Sequence, residues 1–318
     1  MSTSDTQSKF VLAAALNVGC LFVISIQDLI VKLLSDQYAM WQFCLARAVI
    51  GSGCIAVFLA ITKQWHHFKV HQPLFIILRG TFSFAAYVCY FLSLAALSLT
   101  VAVAIMFLAP LMVTALSVPI LKEKVGLHRW SAVITGFIGL VIIVRPDIES
   151  IQPAILLGLA SALFYALRLL IARLIPPADS SATISMYSFA TASILTVIGT
   201  AISSVADFGP SNDVSFAFLN RDWAMPGSFH LFLILSTGVV TAIGHVLSIQ
   251  AYRTAPASFV SVFEYSYFVW AILFGYVFWQ ETPDALTLLG ISILVGAGLY
   301  ITWRERRQNQ PQKRPIIR

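Results

Sequence analysis

Residues 96–123 read ALSLTVAVAIMFLAPLMVTALSVPILKE, a run whose first charge is Lys122. At ~1.5 Å of rise per helical residue, a run of this length crosses a hydrocarbon core of ~30 Å and is expected to be a membrane-spanning helix. Advancing 158 positions carries Glu123 onto Glu281 and gives TAPASFVSVFEYSYFVWAILFGYVFWQE, residues 254–281. The order of small residues, aromatics, an aliphatic end and a closing Glu recurs. The chain is therefore read as a duplication, two halves each built around one of these helices.

The surrounding sequence supports that reading. Of 318 residues, 58% are hydrophobic and 11% charged, too apolar for a soluble domain of this length. The apolar residues come in uninterrupted runs of about twenty rather than in alternating strands, which selects helices over a barrel. Without water in the hydrocarbon, such runs satisfy their backbone groups only within a helix. A formal charge of +6 lies in short loops and the C-terminal tail, with no contiguous basic face, and argues against nucleic acid as a partner. Cys20, Cys44, Cys54 and Cys89 lie inside apolar runs without paired ligand spacing, so neither disulfides nor a metal site is expected. The first run, from near Phe10 to Leu34, is too long for a signal-peptide core and follows no basic segment, so it is read as the first span.

Ten spans follow from runs bounded by charges or turn formers: about 11–34, 39–61, 74–97, 99–121, 127–145, 154–174, 183–205, 230–250, 257–279 and 285–303. Residues 206–229, with Pro210, Asn212, Pro226 and Gly227, are the one sizeable loop, and no soluble domain is expected. With the N-terminus in the cytoplasm, fifteen Lys and Arg residues fall inside and two, Arg145 and Arg221, outside. That bias puts both termini in the cytoplasm. Five spans per half is an odd number, so the second half enters the membrane in the opposite sense. The expected fold class is an all-α integral membrane protein, ten transmembrane helices as two inverted five-helix repeats. Its parts are a cytoplasmic segment 1–10, repeats 11–146 and 154–303, and a basic cytoplasmic tail 304–318, read as unfolded and contacting anionic lipid. A register of 141 carries Lys32 of the first span onto Arg173 of the sixth, while Gln27 falls on Arg168 and Asp28 on Leu169. The frame repeats and the charges change, as one cavity for one asymmetric solute requires.

The order of these segments resembles the drug/metabolite transporter superfamily, EamA type. The resemblance rests on the run from Ala102 to Leu111 closed by Glu123, on RWSAVITGFIGLVIIVRP (129–146), on FEYSYFVWAILFGYVFWQETPD (263–284), and on their duplication over nearly the whole chain. The Leu78–Gly80 segment, the VPILKE before the fifth span and the late ETPD segment are most similar to uptake proteins for S-adenosylmethionine and riboflavin. The resemblance implies secondary transport of a small organic metabolite. Phe268 stands where the first half has Pro110, so a proline bend is expected in the fourth span and is not assured in the ninth.

Ionisable residues within spans are costly and become site candidates, with structural pairing as the competing reading. Asp28 and Lys32 lie one turn apart, and Arg47 enters from the same outer side; the three can form a cluster, either an internal ion pair with Lys32 reaching the interface or a lining of the solute path. Arg168, His245 and Glu264 fall nearer the cytoplasmic side. Glu264 and Asp28 are candidates for proton coupling, because leaving water penalises a carboxylate's charged form. For Glu264 the competing reading is a fixed salt bridge to Arg168 or a hydrogen bond to His245. Tyr87, Tyr90, Phe107, Tyr165, Tyr265, Tyr267 and Trp270 fall in the middle of spans, where a planar ring could stack or a cation sit over a face, or where they simply pack helices. Trp41, Trp65, Trp130, Trp279 and Trp303 read as an interfacial belt. Gly136, Gly139, Gly290, Gly296 and Gly298 make the fifth and tenth spans a scaffold or a homodimer contact.

The function classes separate on motifs. An embedded lipid-modifying enzyme should carry paired acidic ligands, HExxH or a Ser/His/Asp set, and an ATP-driven pump a glycine phosphate loop; the sequence has none of these, and no cofactor is expected. A channel should carry a filter loop or a ring of charge. A secondary transporter working by alternating access is the reading that remains, with uptake suggested by resemblance and efflux of amino acids or drugs as the alternative direction.

Overall fold

The protein is described from a computed structural model covering residues 3–61, 72–122, 126–145, 152–175, 181–205 and 212–308. Among these residues there are only helices. The first half runs α1 (Thr3–Leu34), α2 (Met40–Ile61), α3 (Pro73–Ala96), α4 (Leu99–Met106), α5 (Ala109–Leu121) and α6 (Leu127–Val144). The second runs α7 (Pro153–Ala172), α8 (Ser181–Val205), α9 (Val214–Asn220), α10 (Ser228–Thr254), α11 (Ala257–Val260), a 3-10 turn (Ser261–Tyr265), α12 (Ser266–Trp279) and α13 (Ala285–Gln308). Nine spans among the described residues are long and apolar enough to cross a membrane. The further helix α2, 22 residues with Arg47 as its one charge, stands where the sequence placed the second span. This is a multi-pass membrane protein.

Two spans are broken, and at the same place in the repeat. The fourth is α4 and α5, separated at Phe107–Leu108, with Pro110 in the first turn of α5 where a missing N–H costs nothing. The ninth is α11, the 3-10 turn and α12, with the change to α-helix between Tyr265 and Ser266. Tyr265 lies 158 positions after Phe107, so the interruption repeats although Pro110 does not. The proline therefore accommodates the break rather than causing it. α5 and α12 also end alike: Lys122 and Gln280, again 158 apart, both take the left-handed conformation at φ 56°. A left-handed residue closes a helix by turning its amide back on the last carbonyls.

Packing between the halves follows an approximate two-fold. α3 runs along α7 as α1 runs along α10, α2 packs on α10 as α3 packs on α8, and α6 and α13 face each other. The last pair approaches closely because of two glycines: a Cβ on Gly139 would lie 2.9 Å from the Gly290 carbonyl oxygen, and one on Gly290 would lie 2.7 Å from that of Gly139. Small residues at such a crossing let backbones touch and gain dispersion that lipid cannot match.

The interior is denser at one end. Where α1 gives way to α2, α3 to α4 and α7 begins, Leu34, Met40, Phe43, Leu94, Leu97, Leu99 and Ala154 are buried. At the other end a smaller cluster, Ala13, Ala251, Ala255 and Val260, holds α1 against α10 and α11. The region between Asn212 and Gly227 is not a free loop. α9, capped by Asp213 through the Ser215 amide, tucks Phe218 under Phe43 with ring centroids 6.0 Å apart. Two sequence boundaries also move. α1 begins at Thr3, and α13 continues as helix through Arg304, Arg306 and Arg307 to Gln308, so the first part of the basic tail is folded. Lys63, Trp65, Lys69, Glu123, Lys124 and residues 309–318 lie outside the described residues.

Candidate functional site

A cavity of about 290 Å³ lies between the two halves. α1 contributes Asn17, Cys20, Gln27 and Asp28; α2 gives Arg47; α3 gives Tyr87 and Tyr90. Phe107 and Pro110 come from the break in the fourth span, Tyr165 and Arg168 from α7, Thr241, His245 and Ser248 from α10, Glu264 from the 3-10 turn, and Tyr267 from α12. Both broken spans thus enter it, because a helix interrupted at mid-depth turns side chains and free backbone groups into the space between repeats.

Asp28 is buried, and its Oδ2 accepts a hydrogen bond from the Tyr90 hydroxyl at 2.7 Å and another from the Tyr267 hydroxyl. One carboxylate thus ties α1 to α3 and to α12. Its second oxygen, Oδ1, is buried with no hydrogen bond of ordinary geometry among the described residues, and Gln27 is the neighbouring side-chain donor. The expected pairing with Lys32 does not occur. Lys32 Nζ donates to the Leu97 carbonyl, stands 3.6 Å from Glu281 Oε1 and lies over the Trp279 ring at 5.1 Å. One helical turn separates Asp28 from Lys32 along α1, but that turn carries Lys32 out of the cavity and into the tightly packed end. The three-member cluster therefore divides, Asp28 and Arg47 lining the cavity and Lys32 closing the end above it.

Arg47 and Arg168 are both laid on tyrosines. The Arg47 guanidinium carbon is 3.3 Å from the Tyr87 ring centroid, and that of Arg168 is 4.2 Å from the Tyr165 centroid. Stacking of this kind holds a guanidinium by its face; Arg168 is held further by hydrogen bonds with the Tyr87 and Tyr165 side chains, and Nε of both arginines is left without a partner. Glu264 accepts from the Tyr252 hydroxyl. No ion pair joins it to Arg168 among the described residues. Of the two readings of Glu264 as a fixed partner, the salt bridge to Arg168 is thereby replaced by a phenol contact from α10.

The aromatic candidates separate. Tyr87, Tyr90, Phe107, Tyr165 and Tyr267 line the cavity. Tyr265 instead stacks on Phe107 and presses against α13 at Gly298, and Trp270 packs on Phe22 with centroids 4.8 Å apart. Neither is a lining residue. Arg79 is the residue that sequence reasoning passed over: counted only among the cytoplasmic-side cations, it sits inside α3 and donates to Ser188 Oγ of α8 at 2.7 Å. The signal was present, since Arg79 follows the apolar residues Leu74–Leu78 within the third span. Gln27 and Thr241, hydrogen-bonded to each other across α1 and α10, were not singled out because a lone amide or hydroxyl is unremarkable in a helix.

Comparison with known proteins gives a consistent answer. Residues 11–145 and 152–303 each match the profile described as the EamA-like transporter family. The chain is 25% identical over 283 residues to an S-adenosylmethionine uptake transporter of Rickettsia conorii, covering 89% of this chain and 90% of that one. It is 29% identical over 212 residues to a riboflavin transporter of Vibrio cholerae, covering 66% and 65%. A pseudopaline exporter of Pseudomonas aeruginosa is 24% identical over 283 residues, covering 88% and 92%. A solved crystal structure superposes with a TM-score of 0.58 at 15% identity, over 97% of this chain and all of that one, which speaks to the fold.

Proposed function

The chain belongs to the EamA-like transporter family, and from that premise we propose that it is a secondary transporter importing a dipolar small metabolite that carries a planar ring, S-adenosylmethionine being the first solute to test. It is a transporter of a small molecule and not an enzyme. One observation carries the solute class. The cavity is lined by two carboxylates, Asp28 and Glu264, by two guanidiniums, Arg47 and Arg168, and by tyrosine and phenylalanine rings. A metabolite with an amino-acid head, a cationic centre and a nucleobase offers a partner to each of these groups. Riboflavin, with a larger ring and no formal charge, uses the walls and leaves the charges unmatched.

In this reading both termini are cytoplasmic in a bacterial inner membrane, and the densely packed end faces outward. The described state is then closed to the outside by Lys32, Glu281, Trp279 and the Leu97 carbonyl, and the solute leaves towards the cytoplasm. Rocking of the repeats around the shared cavity opens the opposite end. Proton coupling is assigned to Glu264, which has a phenol donor and, among the described residues, no cationic partner, so it can exchange a proton without breaking an ion pair. The basic residues after Trp303 lie at the inner surface against anionic lipid.

The test is uptake of labelled S-adenosylmethionine and, in parallel, riboflavin by cells expressing the chain, with and without an uncoupler. Saturable S-adenosylmethionine uptake that collapses on uncoupling supports the reading, and in Glu264→Gln the remaining uptake should lose its response to a proton gradient. Riboflavin uptake alone would overturn the dipolar solute, and loss of preloaded solute from expressing cells would reverse the direction.

A further inference from the structure

A second, smaller chamber of about 70 Å³ opens beside the main cavity, between α2, α3, α7, α8 and α10. Three guanidiniums line it: Arg47 from α2, Arg79 from α3 and Arg168 from α7. His245 lines it as well, edge-on to Phe189 at 6.4 Å, and no carboxylate among the described residues does. Arg47, Arg168 and His245 face both spaces, so the chamber continues the cavity away from Asp28 and Glu264.

We infer that this chamber is an oxyanion site, taking the carboxylate or phosphate of the transported solute and fixing that solute's orientation. The first argument is electrostatic. Three positive groups brought together in a low-dielectric bundle repel one another and are retained where an anion returns the cost. The second is their unmet hydrogen bonding. Arg47 is nine-tenths buried, yet its Nε and Nη1 have no hydrogen-bond partner, and Nε of Arg79 and of Arg168 are likewise buried and unpartnered. A buried donor left unsatisfied is destabilising, the more so when charged, so four of them in one chamber describe a site for an acceptor. The third is geometry. Tyr87 and Tyr165 stack the faces of Arg47 and Arg168, and Ser188 holds one arm of Arg79, so the planes are fixed while Nε of all three and Nη1 of Arg47 remain for an oxyanion. A volume of 70 Å³ is several times the ~10–15 Å³ that admits a water, enough for such a group.

This inference deepens the transport reading by assigning one end of the solute, and its test does not depend on which solute is moved. Purified wild-type protein, Arg79→Gln and Arg79→Lys are to be followed by thermal unfolding in detergent against inorganic phosphate, acetate and chloride at matched ionic strength. Phosphate and acetate should raise the wild-type midpoint above chloride, Arg79→Lys should keep part of the rise and Arg79→Gln should lose most of it. Equal midpoints in all three salts, or an equal rise in wild type and Arg79→Gln, would overturn the site. If Arg79→Gln does not fold, the graded comparison of wild type with Arg79→Lys decides: a tighter apparent phosphate affinity in wild type by about ten-fold supports the site, and no difference removes it. Binding of phosphate by a chain that imports neither S-adenosylmethionine nor riboflavin would sink the solute and leave the oxyanion site standing.

Discussion

Phe107 and Tyr265 occupy the same position in the two repeats and stack on each other, with ring centroids 5.2 Å apart and planes 26° from parallel. The approximate two-fold axis therefore passes through an aromatic contact, at the very residues where both spans are interrupted. Phe107 stacks on Phe268 as well, at 4.8 Å, so the residue in the place of Pro110 is part of the same contact. If the halves rock about this point, the stack must slide or part. Phe107→Ala is expected to leave the protein folded and to remove ~1 kcal/mol of stacking, about a five-fold change in the rate of interconversion. Transport by reconstituted vesicles at equal protein content measures it; an unchanged rate would mean the axis residues do not move.

Asp28 joins three helices through two phenols. Tyr90→Phe and Tyr267→Phe each delete one donor to a buried carboxylate, at an expected ~1.5–3 kcal/mol, and the pair should cost less than the sum because the freed carboxylate rearranges or takes up a proton. Unfolding in detergent of both single variants and the double variant gives the coupling. Strict additivity would show that the two bonds act independently and that the clamp is not a unit.

The Lys32–Glu281 contact links α1 of the first repeat to the end of the ninth span, with Lys32 nearly buried and Glu281 one-third exposed. Because it closes the dense end, Lys32→Ala should raise the reactivity of a cysteine placed at Ser248 towards a membrane-impermeant thiol reagent added from outside, by several-fold. The assay needs a background lacking the four native cysteines, since Cys20 lines the same cavity. Equal labelling with and without Lys32 would show that apolar packing alone seals this end.

Arg145 and Asp284 pair at 2.6 Å where α6 ends and α13 begins, and Asp284 also caps α13 through the Thr287 amide at 2.9 Å. The hydrogen bond from Arg145, and then those from Thr287, hold the Asp284 carboxyl well below the usual carboxylate range. A carboxylate whose folded pKa is depressed adds stability that is complete above its unfolded value of ~3.9 and is lost as pH falls towards the folded value. The difference in melting midpoint between wild type and Asp284→Asn should therefore be constant from pH 7 to pH 5 and vanish in strong acid. Both groups are open to solvent, so added salt should shrink the difference. A difference that grew with acid would contradict the assignment.

Much of the architecture was legible because the bilayer imposes long apolar runs, and a run of about twenty residues leaves its backbone no alternative to a helix. The register of 158 carried further than expected, locating the matched breaks at Phe107 and Tyr265 and the matched left-handed ends at Lys122 and Gln280. The bend of the ninth span was not readable from Phe268, because breaks of this kind are set by what a helix packs against as much as by proline. At the site, the sequence named Asp28, Arg47, Arg168, His245 and Glu264 from their cost in a membrane, and they line one cavity. It could not give their partners. Lys32 was assigned to Asp28 because they are neighbours on one helix, whereas Glu281, distant along the chain, is the carboxylate that meets it.

By itself, then, the sequence determined that the chain lives in a membrane as helices, that it is a duplication, and that a few charged residues stand where charge is expensive. Each of these follows from short-range terms, hydrophobic length and repeat register, that are fixed before the chain folds. The tertiary structure decided which charges face each other. It set Asp28 between two tyrosines, sent Lys32 to the closed end, and drew Arg79 in beside Arg47 and Arg168. Those relationships depend on how each helix is rotated about its axis and on crossings between helices remote in sequence, and local periodicity carries no information about either.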